Sequence, residues 1–303
     1  MKTGNDFYDK LPKEEQEQYT ILFEDKSGWY TEDGNGEKDW SGSEDKIKQF
    51  DESCNKFIKL QNNPIYLSFL HFPSVDIKNY NFEKNREIIF CNSIFYGEID
   101  FHSGFTKYIQ ETNFENAIFK EKVDFGEYTF GHKISFKSTT FKKDVNFKLS
   151  NFTRYINFRS TTFNKDVNFD EANFENKVSF WGAIFADEAH FDSTVFKQAF
   201  NFTKTQITNI TFVNSDIKNG NFLYISAYNK DNPKNPKPLT KGNLKNKESA
   251  RLIKDHFEKQ NNIIEANKYF RIEQDKYLEE LINDGYWKNK GDIAVVFLNK
   301  IIS

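Results

Sequence analysis

The residues best placed for chemistry lie in "ADEAHFDS", where Glu188, His190 and Asp192 occupy every second position. Alternate side chains of an extended strand point to the same side, so these three would share one outward surface. A carboxylate beside an imidazole is typical of a general acid–base pair or of part of a metal site. The alternative interpretation is an ordinary polar face in water, and it is the one that we adopt.

The other residues with reactive side chains form no catalytic or metal-binding motif. The histidines are scattered along the chain, and no H-E-x-x-H, G-x-S-x-G or phosphate-loop pattern occurs. Two cysteines, Cys54 and Cys91, are too few for a disulfide framework or a cysteine metal site. We therefore predict a non-enzymatic protein with no catalytic residues, no metal site and no cofactor.

Phenylalanine is unusually frequent and follows a regular period. The 303 residues include 34 Phe and a single Met. Phe or Ile recurs in this way from about Leu70 to Leu223, interrupted by the irregular "HSGFTKYIQETN". From Phe114 to Phe202 the spacing alternates five and six residues, an F-x4-F-x5 unit, and after Phe202 it tightens to fives. Neither the helical period of 3.6 nor the strand period of 2 gives such spacing, but a coil that turns a corner after each short run does.

A coil with four faces would contain two such units, so phenylalanines 22 residues apart should stack in four columns. The residue two before most of these phenylalanines is small or β-branched and lies on the same side of the strand, so it should also point inward. The residues between are mostly Asn, Asp, Lys, Glu and Ser, which tolerate turns and face water. The columns are Phe114, Phe136, Phe158, Phe180 and Phe202; Phe119, Phe141, Phe163 and Phe185; Phe125, Phe147, Phe169 and Phe191; and Phe130, Phe152, Phe174 and Phe196.

The pentapeptides "ANFEN", "SNFTR" and "TTFNK" resemble the A-[DN]-[LF]-x-x consensus of the pentapeptide-repeat family. The resemblance implies a mainly β fold, a right-handed quadrilateral β-helix with four faces per coil. The family norm is five residues per face. The six residues on every second face here imply bulged corners on two of the four edges.

The two ends of such a solenoid would expose unpaired strands, so we expect a cap at each end. We predict a helical and loop N-terminal cap over 1–69, the β-helix over 70–227, a linker over 228–245, and a helical hairpin with a short terminal helix over 246–303. The first cap should contain a helix after Pro12, a hairpin loop in "SGWYTEDGNGEKDWSGS" and a helix over 44–60. The C-terminal helices are expected over 246–260 and 263–282, and the short helix in "IAVVFLNKIIS".

The charge of the repeat region bears on two nucleic-acid hypotheses. Residues 88–227 carry 15 basic and 16 acidic side chains, and no basic stripe is evident, so we expect no direct nucleic-acid binding. Some pentapeptide-repeat proteins resemble duplex DNA in shape and charge and inhibit type II topoisomerases. That role requires dense negative charge, about one per 1.7 Å of axis, and it stays open here only as the alternative.

The sequence also contains signals that bear on the cellular location of the protein. No secretory signal and no apolar stretch of membrane-spanning length is present, so we expect a cytoplasmic protein. Residues 228–303 carry a net charge of +4, as a juxtamembrane cytoplasmic segment would. Similar C-terminal segments follow the β-helix in bacterial pentapeptide-repeat proteins that continue into transmembrane helices of ion-channel type.

This second resemblance implies an interaction scaffold, the cytoplasmic repeat domain of a membrane-linked, channel-like bacterial assembly. We expect a protein partner, and membrane association through or beyond the C-terminus at the inner face of the cell membrane. This interpretation is also compatible with a homo-oligomer.

Overall fold

The structure is a computed structural model. It describes residues 44–283 except 69, 74–79, 81, 83–85, 101–108 and 218, together with residues 13, 16–17, 31–32 and 38–39. The helix expected after Pro12 lies largely outside this set, although residues 13, 16 and 17 are helical. The terminal helix expected in "IAVVFLNKIIS" lies wholly outside it. Strands Thr31–Glu32 and Lys38–Asp39 pair antiparallel within the segment expected to form a hairpin.

The repeat region is a parallel β-solenoid with four faces, as predicted. Its strands are mostly two residues long, and each pairs with strands about 22 residues away in the coils before and after it. Face 1 contains Ile65–Tyr66, Arg86–Ile89, Ile109–Asn113, Ile134–Ser135, Ile156–Asn157, Val178–Ser179, Phe200–Asn201 and Gly220–Asn221. Face 2 contains His71–Phe72, Ile94–Phe95, Ile118–Phe119, Thr140–Phe141, Thr162–Phe163 and Ser226–Ala227. Face 3 contains Ile99–Asp100, Val123–Asp124, Val145–Asn146 and Val167–Asn168, and face 4 contains Thr129–Phe130, Asn151–Phe152, Asn173–Phe174 and Val195–Phe196.

Two longer strands, Ile184–His190 and Gln206–Thr211, turn the corner between faces 2 and 3 and join them into one sheet. Their pairing slips in register at this corner, between Phe185 and Glu188. At this point the inward residues Phe185 and Phe191 of one coil are six positions apart, whereas Ile207 and Phe212 of the next coil are five apart. The slip therefore marks the coil in which the period tightens from six residues to five, and the bulged corners expected on two of the four edges stay a prediction.

The four predicted phenylalanine columns form the core. Successive rings in a column have centroids 4.7–5.3 Å apart. Neighbouring columns meet edge to face, as Phe158 does with Phe169 at 5.6 Å. The residues two before them are buried as expected, for example Val145 and Thr161. Offset stacking and edge-to-face contact are the arrangements that aromatic rings prefer, so one packing solution is repeated in every coil.

A second set of buried contacts ties the coils together. Where the inward partner is Thr or Ser, its hydroxyl donates to a Phe carbonyl oxygen of the coil before, as Thr161 does to Phe136 at 2.7 Å. Ala172 and Ala183 occupy two equivalent positions and lack the hydroxyl. The other donors are Thr139, Ser150, Thr194, Thr205 and Ser215.

The corners that follow faces 1 and 3 are tight turns with a left-handed residue. In the turn 136–139 the N–H of Thr139 donates to the carbonyl of Phe136 at 3.0 Å, and Ser138 has φ of +57°. This is the geometry of a type II turn, which favours Gly or Asn at that position. Among the residues that the structure describes, glycine occupies this position only at Gly182, and residues such as Leu149 and Lys204 adopt positive φ in other turns.

The N-terminal end of the core is covered by helix α1, Glu44–Leu60, as predicted. Its buried side, including Phe50, Cys54 and Phe57, packs on the first coils, and Phe50 meets Phe72 edge to face at 5.8 Å. Helices α2, Lys247–Lys259, and α3, Ile263–Asn283, form the predicted hairpin at the other end. Within the part of the chain that the structure describes, no helix combines the length and apolar content that a membrane span requires.

The segment that joins the last coil to α2 lies against the solenoid. A short 3-10 turn, Lys241–Asn243, begins at Thr240, and Leu244 bridges to Ile210. Side chains then satisfy the exposed edge of the last complete coil: Ser249 accepts from the N–H of Phe212 at 2.8 Å, and Glu248 accepts from the N–H of Asn214 at 2.9 Å. The hairpin thus covers backbone groups that another coil would otherwise pair.

Candidate interaction surface

The candidate acid–base residues are only partly brought together. Glu188 Oε2 lies 3.2 Å from His190 Nε2 on the outside of face 3. Asp192 lies past the inward Phe191, where its Oδ1 accepts from the hydroxyl of Thr211 at 2.6 Å and from the N–H of Val213 at 2.8 Å. Alternation therefore places Glu188 beside His190, whereas Asp192 is held in a turn between two coils.

The carboxylate of Glu188 is also paired with a cation from outside the repeat. Lys245 Nζ lies 2.6 Å from Glu188 Oε2, and this contact lowers the pKa of Glu188. A general acid would need the opposite shift, because it must hold its proton near neutral pH. The pair instead attaches the C-terminal segment to the solenoid.

The described residues contain no group of three side chains suited to a metal ion. Both cysteines are free: Cys54 is buried, and burial raises the pKa of the Cys91 thiol to about 11. Such thiols are largely protonated at neutral pH and are poor nucleophiles. A cleft of about 310 Å³ lies between the last coil and α2, with Ser215, Ile217, Leu252 and His256 among its lining residues.

Several charges on the solenoid are paired between neighbouring coils. Each of these pairs joins a lysine to a carboxylate about one coil away. These exposed contacts contribute little to stability individually. The pairs are Lys122–Asp144, Lys133–Glu111, Lys137–Glu115, Lys148–Glu171, Lys165–Asp187 and Lys197–Glu175.

One surface brings together several cations that lie outside this pairing. We name it the basic–aromatic patch: Arg154, Tyr155, Arg159, Lys177, Trp181, Lys204 and Tyr224, on face 1 and its two corners. None of its four cations forms an ion pair with a described residue. Tyr155 and Tyr224 are 36% and 73% exposed. The nearest acidic position along these corners, Glu175, is paired with Lys197 at 3.4 Å.

The strand register brings the patch residues together. Asn157 pairs with Ser179, and Ser179 with Asn201, so the residues that flank them occupy adjacent coils about 4.8 Å apart. Arg159, Trp181 and Lys204 come from three successive coils. The guanidinium carbon of Arg159 lies 5.0 Å from the centroid of the Trp181 ring, and Lys204 Nζ lies 5.4 Å from it.

Polar residues run through the middle of the patch. The side-chain oxygen of Asn157 accepts from the N–H of Arg159 at 3.1 Å, and that of Asn201 accepts from the N–H of Thr203 at 2.8 Å. The same contact recurs at Asn221 with the N–H of Leu223. With their oxygens engaged in these turns, the asparagines retain their amide N–H₂ groups as donors toward a ligand.

The repeat matches a known family. A family model described as pentapeptide repeats (nine copies) matches residues 127–173 and 147–195. This segment belongs to the pentapeptide-repeat family. Pentapeptide-repeat proteins are generally structural or interaction proteins, and the match indicates no catalytic family.

Among solved structures, the chain is similar to HetL, a pentapeptide repeat protein involved in heterocyst differentiation regulation from the cyanobacterium Nostoc sp. strain PCC 7120. The alignment covers 55% of this chain and 88% of HetL at 10% identity, with a TM-score of 0.20. A similarity this loose carries no argument about function. No curated protein matches the chain.

The basic–aromatic patch was missed in the sequence because the charge was summed over the whole pentapeptide-repeat region. Reading the sequence in columns of 22 would have shown it, since Lys133, Tyr155 and Lys177 form one column and Lys137, Arg159 and Trp181 another. The lower lysines in these columns are neutralised by Glu111 and Glu115. Later in these columns, no glutamate lies 22 residues before Arg159 or Lys177, and these two cations are left without an ion-pair partner among the described residues.

Proposed function

We propose that this protein is a non-enzymatic interaction scaffold whose pentapeptide-repeat solenoid binds a protein partner through an outer face. The observation that supports this most strongly is the filled and capped core. Phe columns occupy the interior, while α1 and the α2–α3 hairpin cover the two ends. The lateral faces are therefore the extended surface left for recognition, and a rigid face loses little entropy when it binds.

We also propose that the scaffold acts in the cytoplasm, as part of a membrane-linked, channel-like bacterial assembly. The net charge of +4 on residues 228–303 supports this, because positive segments accumulate on the cytoplasmic side of membranes. The test is fractionation of cells that express the native gene product. The proposal expects the protein in the membrane fraction, and recovery in the soluble fraction alone at low salt would contradict it.

Topoisomerase inhibition by DNA mimicry has less support. A DNA mimic must present unneutralised carboxylates at dense spacing, whereas Glu111, Glu115, Asp144 and Asp187 each lie within 4 Å of a lysine nitrogen. We expect no inhibition of a type II topoisomerase in a supercoiling assay at micromolar protein. Potent inhibition there would replace the scaffold proposal.

The scaffold proposal itself is tested by photo-crosslinking in cells of the source organism. A photoreactive amino acid is placed at one outward position per variant: Tyr155 on face 1, Thr162 on face 2, Asn168 on face 3 and Val195 on face 4. Buried Phe158 serves as the internal control. The proposal expects a discrete crosslinked protein from at least one outward position and none from Phe158, and failure at all four faces would contradict it.

A further inference from the structure

We propose that the basic–aromatic patch binds an acidic segment of a protein partner. This inference rests on the proposed scaffold function and specifies the face and the chemistry of the partner.

The charge pattern is the first argument. Six other lysines of the solenoid lie within 4 Å of a carboxylate of a neighbouring coil, as Lys165 does with Asp187 at 3.4 Å. Arg154, Arg159, Lys177 and Lys204 are exposed, and no described carboxylate pairs with them. Their charges repel one another in the free protein, so a ligand with carboxylates relieves that repulsion and gains attraction.

The aromatic residues are the second argument. Trp, Tyr and Arg are the residues that most often dominate binding energy in protein interfaces, and five of the seven patch residues are of these types. Trp181 is partly buried, so its indole can serve as an apolar anchor, while Tyr155 and Tyr224 lie at opposite ends of the patch.

The same indole argues against a single-stranded nucleic acid as the ligand. In proteins that bind single-stranded nucleic acid, the bases stack on exposed faces of aromatic side chains. Arg159 comes from the coil before Trp181 and Lys204 from the coil after it, and both cations lie over its ring. The ring is therefore already engaged by cations, which remain able to contact carboxylates through their other N–H groups.

The side-chain amides of the asparagines on face 1 add hydrogen-bond donors to the patch. Asn157, Asn201 and Asn221 use their side-chain oxygens within their own turns. The surface is thus rich in donors and cations, which complements an acidic segment and rejects a basic one.

The experiment measures binding of the full chain to a labelled short peptide of Glu and Leu by fluorescence anisotropy near neutral pH. A peptide with Gln in place of Glu and a labelled oligothymidylate are the comparison probes. The test variant is Arg159→Glu/Lys177→Glu. Its matched control is Lys142→Glu/Lys143→Glu, which makes the same charge change at exposed lysines beside face 2.

The proposal expects the wild type to bind the Glu peptide in a salt-sensitive manner and the Gln peptide at least about tenfold more weakly. Arg159→Glu/Lys177→Glu should weaken binding of the Glu peptide by about tenfold or more, and the control by less than about twofold. Equal losses in both variants would overturn the proposal, because net charge alone would then explain binding. So would no binding by the wild type, or tighter binding of oligothymidylate that is lost in the same variant.

Failure of this inference and failure of the scaffold proposal give different results. If the photo-crosslinked partner persists in Arg159→Glu/Lys177→Glu, the scaffold stands and the patch is the wrong face. If no outward position crosslinks to any protein, the scaffold proposal itself fails.

Discussion

At the scale of single residues, the buried hydroxyls that link coils are the most direct test of the packing. Thr161→Val keeps the shape of the side chain but leaves the Phe136 carbonyl without the hydroxyl that donates to it at 2.7 Å. Because the N–H of Thr139 still donates to this carbonyl, we expect a loss of only about 0.5–1.5 kcal/mol in the free energy of unfolding, measured by chemical denaturation. Thr162→Val, at the outward position beside it, should change stability by less than about 0.5 kcal/mol. Equal effects from both substitutions would show that the hydroxyl bond contributes nothing.

The left-handed corners give a residue-scale prediction of the opposite sign. Leu149 has φ of +60° and is 44% exposed, so its side chain adds strain and little burial. A non-glycine residue in this conformation costs roughly 1 kcal/mol, and we expect Leu149→Gly to raise the free energy of unfolding by about 0.5–1 kcal/mol. Asn164→Gly, at a corner where φ is not positive, should instead lower it. If Leu149→Gly destabilised the protein as much as Asn164→Gly does, this account of the turns would be contradicted.

At the scale of elements, the C-terminal hairpin is predicted to protect the edge of the last coil. Ser249→Ala removes the acceptor of the buried Phe212 N–H, which lies 2.8 Å from Ser249 Oγ. We expect a loss of about 1–3 kcal/mol and faster amide exchange across 206–214, measured by hydrogen–deuterium exchange. Arg251→Ala, on the exposed side of the same helix, is the control. Unchanged exchange in Ser249→Ala would mean that the hairpin does not hold this edge.

The same element carries a pH dependence through His256. Burial, with a contribution from Lys259, lowers the pKa of His256 below its ordinary value near 6.5. The unfolded chain therefore takes up the proton first as the pH falls, so the stabilising contribution is complete above about pH 6.5 and declines below it. Denaturation at about pH 7.5 and pH 5.5 should show a smaller loss in His256→Gln than in the wild type. An identical loss in both proteins would assign the pH dependence to other groups.

Some elements could be predicted from the sequence and others could not. The solenoid, α1 and the hairpin follow from periods and cap signals, because one large inward residue per face leaves a clear spacing. The coupling of Ser249 and Glu248 to the last coil could not be predicted, because it depends on how a helix docks about 35 residues after the strand it covers. The separation of Asp192 from His190 was also hidden, since alternation holds only within the strand and fails at the corner after Phe191.

At the scale of the whole molecule, structure and recognition are carried by different residues. Phe158 is fully buried between Phe136 and Phe180, with ring centroids 5.3 and 5.0 Å away. Phe158→Ala should cost about 3–5 kcal/mol through the lost ring and the cavity that remains. Arg159 and Lys177 of the patch are exposed, so their substitution should leave stability within about 0.5 kcal/mol. The repeat period reveals the first set, whereas the second is visible only when residues one coil apart are compared.

The central claim is that the residues between the phenylalanines carry recognition, and one measurement tests it most directly. It is the affinity of Arg159→Glu/Lys177→Glu for the Glu–Leu peptide, determined on protein whose unfolding free energy is measured in the same buffer. The account predicts wild-type stability with affinity reduced about tenfold or more. Unchanged affinity at wild-type stability would contradict it.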